Sequence, residues 1–119
     1  MAKPFVHLEL TTPDLSKSKE FYGKLFGWTF DDNVMAPDVI YSTFKTDSGP
    51  GGALFTMPGA APAWLAYVDV DEINAATEKA KSLGATIVRG PLEVPGHGWF
   101  TVVIDPTGAA IALWQAKTA

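Results

Sequence analysis

The chain has 119 residues, 47% of them hydrophobic and 18% charged, with a net charge of −4 and no cysteine. That size and balance suit one folded domain with a real core, and they exclude disulfides, thiolate metal sites and zinc fingers. The nine basic residues are scattered along an acidic chain, so no footprint for a nucleic-acid backbone is expected.

The first segment, FVHLEL (5–10), alternates as a strand and carries His7 and Glu9 two residues apart. In TTPDLSKSKEFYGKLFGW, Thr12 is placed to cap a helix, Pro13 to open it and Gly27 to end it. Leu15, Phe21, Tyr22, Leu25 and Phe26 fall roughly on one helical face. WTFDD, VIYSTFKT and GGALFTM read as strands divided by Asn/Pro and Gly-rich turns. From Ala63 the order begins again: WLAYVDV as a strand, Asp71 as a cap, then Ile73, Ala76, Ala80 and Leu83 as the stripe of a helix ended by Gly84. TIVRG follows, with LEV as its continuation, then WFTVVI and AAIALWQ joined by the tight turn Asp-Pro-Thr-Gly. No stretch has the roughly 18 apolar residues of a membrane span, and the start has no signal-peptide pattern. A cytoplasmic protein without membrane partners is the expectation.

Sliding the chain on itself by about 58 residues places Leu25 on Leu83, Phe30 on Val88, Phe44 on Val102 and Asp47 on Asp105. This predicts one α+β domain spanning 1–119, built of two tandem βαβββ units at about 4–58 and 62–116.

Paired βαβββ units, a helix ending FYGKLFGW and a last hairpin DPTGAAIALWQ together resemble the vicinal oxygen chelate superfamily. It includes glyoxalase I, bleomycin-resistance proteins and extradiol dioxygenases. The resemblance covers essentially the whole chain and is similar to that of small bacterial glyoxalase-like proteins. It implies a curved mixed sheet around a cup, helices on the outer face, ligands in the cup, and a homodimer. In metal-dependent members the first and last strands of each unit supply four ligands.

Strand alternation puts Val6, Leu8 and Leu10 on one face and His7 and Glu9 on the other, toward the cup. His7 is the only residue that matches the family's ligand positions. The others fall on Leu65, Leu54 (to within one residue) and Ala112, none of which holds a metal, whereas a divalent transition ion takes about three or four N, O or S donors. The full metal quartet and other cofactors are therefore not expected; a divalent metal stays open as an alternative, with Glu9 and the loop residue His97 as further candidate donors. Histidine beside a carboxylate suits acid/base work, so His7 and Glu9 are the candidate catalytic pair. Hydrogen bonding to a ligand and a purely structural pairing stand as alternatives. The same alternation predicts a largely apolar ligand site lined by Leu54, Phe55, Leu65, Tyr67, Trp99, Ala112 and Trp114, with Met57 near it. The Pro/Gly-rich segments DDNVMAPD, MPGAAPA and EVPGHG are expected as loops at its rim. Four tryptophans in so short a chain point to a planar or aromatic ligand. Two functions remain open: a small-molecule enzyme of unknown substrate lacking the full metal quartet, or a non-catalytic binding or sequestering protein of the bleomycin-resistance type. Glyoxalase I and extradiol dioxygenase activities are disfavoured, because both use the metal.

Overall fold

Strand and helix formers alternate twice along the chain. The computed structural model, which describes residues 2–37 and 39–118, turns that order into β1 (Phe5–Thr11), α1 (Leu15–Phe26), β2 (Phe30–Ala36), β3 (Val39–Phe44), β4 (Gly52–Phe55), β5 (Ala63–Asp69), α2 (Ile73–Ser82), β6 (Thr86–Val94), β7 (Gly98–Ile104) and β8 (Ala110–Ala116). This is the α+β, twice-βαβββ architecture expected from the sequence. The chain divides into two compact units, Val6–Leu65 and Met1–Phe5 with Ala66–Ala119.

In the first unit the strand order is β2-β3-β4-β1. β1 and β4 run parallel, with Glu9 opposite Ala53 and Leu10 opposite Leu54, while β3 is antiparallel to both β2 and β4. Leu10, Phe44 and Leu54 form the buried core, against which Leu15 and Tyr22 of α1 pack together with Trp28 and Phe30. The Trp28 ring stacks on Phe44 at 4.1 Å between centroids. Each large side chain so buried contributes about 1.5–3 kcal/mol. Gly52 is dictated by closeness: a Cβ there would lie 1.8 Å from the carbonyl oxygen of Leu8.

The helix starts two residues later than the sequence suggests. Asp14 is the N-cap, its Oδ1 accepting from Lys17 N at 3.0 Å, because Thr12 Oγ1 is engaged with Ser18 Oγ at 2.7 Å. Gly27, at φ 76°, ends the helix as expected.

The second unit has the order β5-β8-β7-β6, with β5 parallel to β8 and the other pairs antiparallel. α2 is held to one sheet face by a hydrogen bond between Thr77 Oγ1 and Thr101 Oγ1, 2.8 Å, and by Ile73 N donating to Gln115 Oε1, 2.8 Å. Its N-cap is Glu72, whose carboxylate accepts from Asn74 N and Ala75 N. The expected cap, Asp71, instead takes an ion pair with Lys3 at 2.8 Å. Nearby, Asp69 N donates to the carbonyl of Pro4 at 3.0 Å.

Two rim segments are mostly strand. β2 runs on through DDNVMA, and Asp38 of that segment lies outside the described residues. β6 takes in LEV, as anticipated, which shrinks EVPGHG to a tight turn in which His97 N donates to Val94 O at 2.9 Å. No helix among the described residues is long and apolar enough to cross a membrane.

Candidate functional site

The face of the first sheet opposite α1 carries the polar residues. Alternation along β1 puts His7, Glu9 and Thr11 there, and cross-strand pairing adds Ala53 and Phe55 from β4 and Tyr41 and Thr43 from β3. The Tyr41 hydroxyl stands between the two residues singled out from the sequence. It donates to Glu9 Oε2 and lies 3.0 Å from His7 Nε2. His7 Nε2 is also 3.4 Å from Glu9 Oε2, with side-chain exposures of 31% for His7 and 14% for Glu9. Both are therefore partly withdrawn from water yet reachable. The Phe55 ring, half-buried, flanks Tyr41 at 5.6 Å.

Hydrogen-bond directions follow from counting protons. Tyr41 has one hydroxyl proton and gives it to the carboxylate, so its oxygen accepts toward His7. His7 Nε2 must then carry a hydrogen, and in the neutral ring Nδ1 holds the lone pair.

In the second unit the face opposite α2 presents Tyr67, Phe100, Val102, Ala112 and Trp114. Tyr67 and Trp114 meet edge to face, centroids 6.5 Å apart. Arg89 of β6 lies over the Phe100 ring, 5.7 Å from its centroid. Tyr67 and Ala112 are buried and Trp114 is half-buried. Leu65, in β5, is half-buried and Met57 is exposed.

Two expected site residues lie on the wrong side of their sheets. Leu54 is fully buried in the core beneath α1. Glu9 pairs with Ala53 as Tyr67 pairs with Ala112, so a repeat offset of 58 at the first strand becomes 59 at the last. The counterpart of Ala112 is Ala53, and by the same step Phe44 matches Val103 rather than Val102. Trp99 pairs with Gln115, the residue bonded to the start of α2. It lines a groove of about 510 Å³ with Glu72, Ile73, Pro91, Glu93 and Gln115, on the helix side. Tyr41, Arg89 and Phe100 were not singled out from the sequence. The 59-residue step makes Tyr41 and Phe100 counterparts, a relation that a correct register would have exposed.

A sequence profile described as "Glyoxalase/Bleomycin resistance protein/Dioxygenase superfamily" matches residues 5–113. The chain belongs to this superfamily. It is 35% identical over 116 residues to the "Putative glyoxylase CFP32" of Mycobacterium tuberculosis, covering 92% of this chain and 44% of that protein. It is 30% identical over 126 aligned positions to the "Anthracycline biosynthesis protein DnrV" of Streptomyces peucetius, covering 90% and 45%. The chain thus spans about half the length of the curated relatives it matches. Among solved structures, methylmalonyl-CoA epimerase from Mycobacterium tuberculosis superposes with a TM-score of 0.72 at 14% identity, covering 97% of this chain and 89% of that one. At that identity the likeness is one of fold.

The donors present do not fit the divalent ion that metal-dependent members of the superfamily hold. His7 and Glu9 are two donors, already joined through Tyr41. Moving the last-strand position of the first unit from Leu54 to Ala53 restores none. Among the described residues no group of three or more His, Asp or Glu side chains is placed to share an ion.

Proposed function

We propose that this chain is a small-molecule enzyme of the glyoxalase superfamily in which His7, held by hydrogen bonding to Tyr41 and Glu9 and without a metal quartet, moves a proton. The observation that carries this reading is the Tyr41 hydroxyl bridging Glu9 and His7. His7 Nδ1 takes a proton from an acidic C–H or O–H of the bound molecule and returns it later. The charge left on the ring is compensated by Glu9, 3.4 Å from Nε2. Tyr41 and Glu9 act through His7, as positioning residues that fix its tautomer and orientation.

Two measurements test this. Long-range 15N–1H correlation of the neutral ring is expected to show hydrogen on Nε2 of His7, and a ring protonated at Nδ1 would contradict the reading. Incubation in D2O with a panel of acyl thioesters and 2-hydroxy carbonyl compounds, followed by mass spectrometry, is expected to show deuterium wash-in that His7→Ala removes.

A second reading, ligand capture without turnover, is supported by the aromatic set Tyr67, Phe100 and Trp114 in the second unit. Under it, His7→Ala leaves affinity for small aromatic compounds nearly unchanged and no deuterium enters any compound. Phe55, beside Tyr41, lines the site in the first reading, and Ala112, paired with Tyr67, lines it in the second.

A further inference from the structure

Arg89 is the only arginine in the chain, and β6 is distorted where it stands. The pairing of β6 with β7 shifts register twice, between Ile87 and Arg89 and between Arg89 and Leu92. Gly90 lies within the second shift at φ +103°, and a Cβ on it would meet the carbonyl oxygen of Phe100 at 2.5 Å. Only glycine therefore allows β6 to approach β7 here. The double shift puts Arg89 opposite Val102 and Leu92 opposite Phe100, so the guanidinium comes to rest over the Phe100 ring. Phe100 in turn pairs across strands with Trp114, which meets Tyr67.

The aromatic support does not consume the in-plane N–H donors of the guanidinium, which form a fork matched to carboxylate and phosphate. Carboxylates outnumber basic groups in the chain by 13 to 9, yet none of the ion pairs among the described residues involves Arg89. Arg89 is exposed, Phe100 and Trp114 half-buried. A charged fork thus stands beside half-buried aromatic side chains on an apolar sheet face.

We propose that Arg89, Phe100 and Trp114 form a binding site for a small molecule that carries a carboxylate or phosphate on a flat apolar body, with Arg89 taking the anion and the two rings the body. The site lies wholly within the second unit and does not depend on proton transfer at His7.

The single arginine gives a single Nε–Hε resonance in the 15N-labelled protein, so its occupancy can be read directly. The probes are benzoate, phenyl phosphate, their neutral counterpart benzamide, and inorganic phosphate. Benzoate or phenyl phosphate is expected to move the Arg89 Nε–Hε resonance and quench tryptophan fluorescence in the millimolar range or below. Whichever of the two binds more tightly identifies the anion. Benzamide is expected to bind about tenfold to a hundredfold more weakly, the factor that a charge-assisted hydrogen-bond pair supplies. Arg89→Ala should remove that preference while thermal unfolding stays unchanged, and Arg89→Lys should retain only part of it. His7→Ala should leave the preference intact, which separates failure here from failure of the proton-transfer reading. Benzamide binding as tightly as benzoate, Arg89→Ala binding the anions as the unaltered chain does, inorganic phosphate binding as tightly as phenyl phosphate, or no response of the Arg89 resonance at 10-fold the expected millimolar range would each overturn the proposal.

Discussion

Replacing Tyr41 by phenylalanine removes one oxygen and leaves the ring. The ring's contacts with Phe55 at 5.6 Å and with His7 at 6.5 Å persist, so no sizeable cavity opens. What disappears is the donor to Glu9 and the acceptor for His7 Nε2. A hydrogen bond to a charged group is worth about 1.5–3 kcal/mol. Part of that returns, because His7 Nε2 is already 3.4 Å from Glu9 Oε2 and a small ring rotation bonds the two directly. Water also reaches a histidine that is 31% exposed. The net loss expected is about 1–2 kcal/mol, a fall of about 3–10 °C in Tm for a chain of this size. Urea unfolding measures it as a lower midpoint with an unchanged slope. A double-mutant cycle with Glu9→Gln should return a coupling near 1 kcal/mol, whereas independent sites add to within about 0.5 kcal/mol. Additivity within that margin, or a midpoint that does not move, would refute the bridging role of Tyr41.

Leu54→Ala should cost about 2–5 kcal/mol in urea unfolding, since Leu54 is fully buried with Leu10 and Phe44; a cost below 1 kcal/mol would return it to a ligand-facing position. Gly90→Ala should destabilise by about 1–3 kcal/mol, because its φ is +103° and the new Cβ meets the backbone of Phe100, and it should also shift the Arg89 Nε–Hε resonance. The Ser42 hydroxyl, at 2.5 Å, and then the Lys19 ammonium, at 2.9 Å, hold the Asp32 carboxyl below the ordinary carboxylate range. A depressed carboxyl stabilises the fold above its unfolded value, and that contribution is lost as pH falls through the folded one. Asp32→Asn should therefore be less stable than the unaltered chain at pH 7, with the gap closing below about pH 4; a gap that widens in acid would contradict the sign.

The topology was legible because each helix is bounded by capping chemistry and each strand by turn residues, and His7 and Glu9 could be placed because FVHLEL alternates cleanly. Residue 54 could not be placed by the same means. GALF is four apolar residues with no alternation, and Gly52, Ala53 and Leu54 are all buried, so its phase is invisible to periodicity. The fixed repeat offset then carried a one-residue slip, which moves every side chain to the other face. For Trp99 the signal was present. From the turn at Asp105–Gly108, pairing Ile104 with Ala110 and counting outward puts Trp99 opposite Gln115 and out of phase with Trp114. Tyr41 needed the fold itself, because VIYSTF has apolar and hydroxyl-bearing residues in both phases and only its pairing with Phe55 decides which side the phenol takes.

The first residues of the chain belong with its second half. Lys3 holds Asp71 and the carbonyl of Pro4 holds Asp69 N, so residues made before β1 wait for partners at the end of β5 and just before α2. At about 5–20 residues per second, the interval between Pro4 and Asp71 lasts roughly 3–13 s. During that time Val6–Leu65 is complete in sequence and can close on itself, while the N-terminal residues stay unengaged until β5 and the start of α2 arrive. The contacts of Lys3 and Pro4 thus close only after the whole intervening unit has been made, and before β8 arrives to pair with β5.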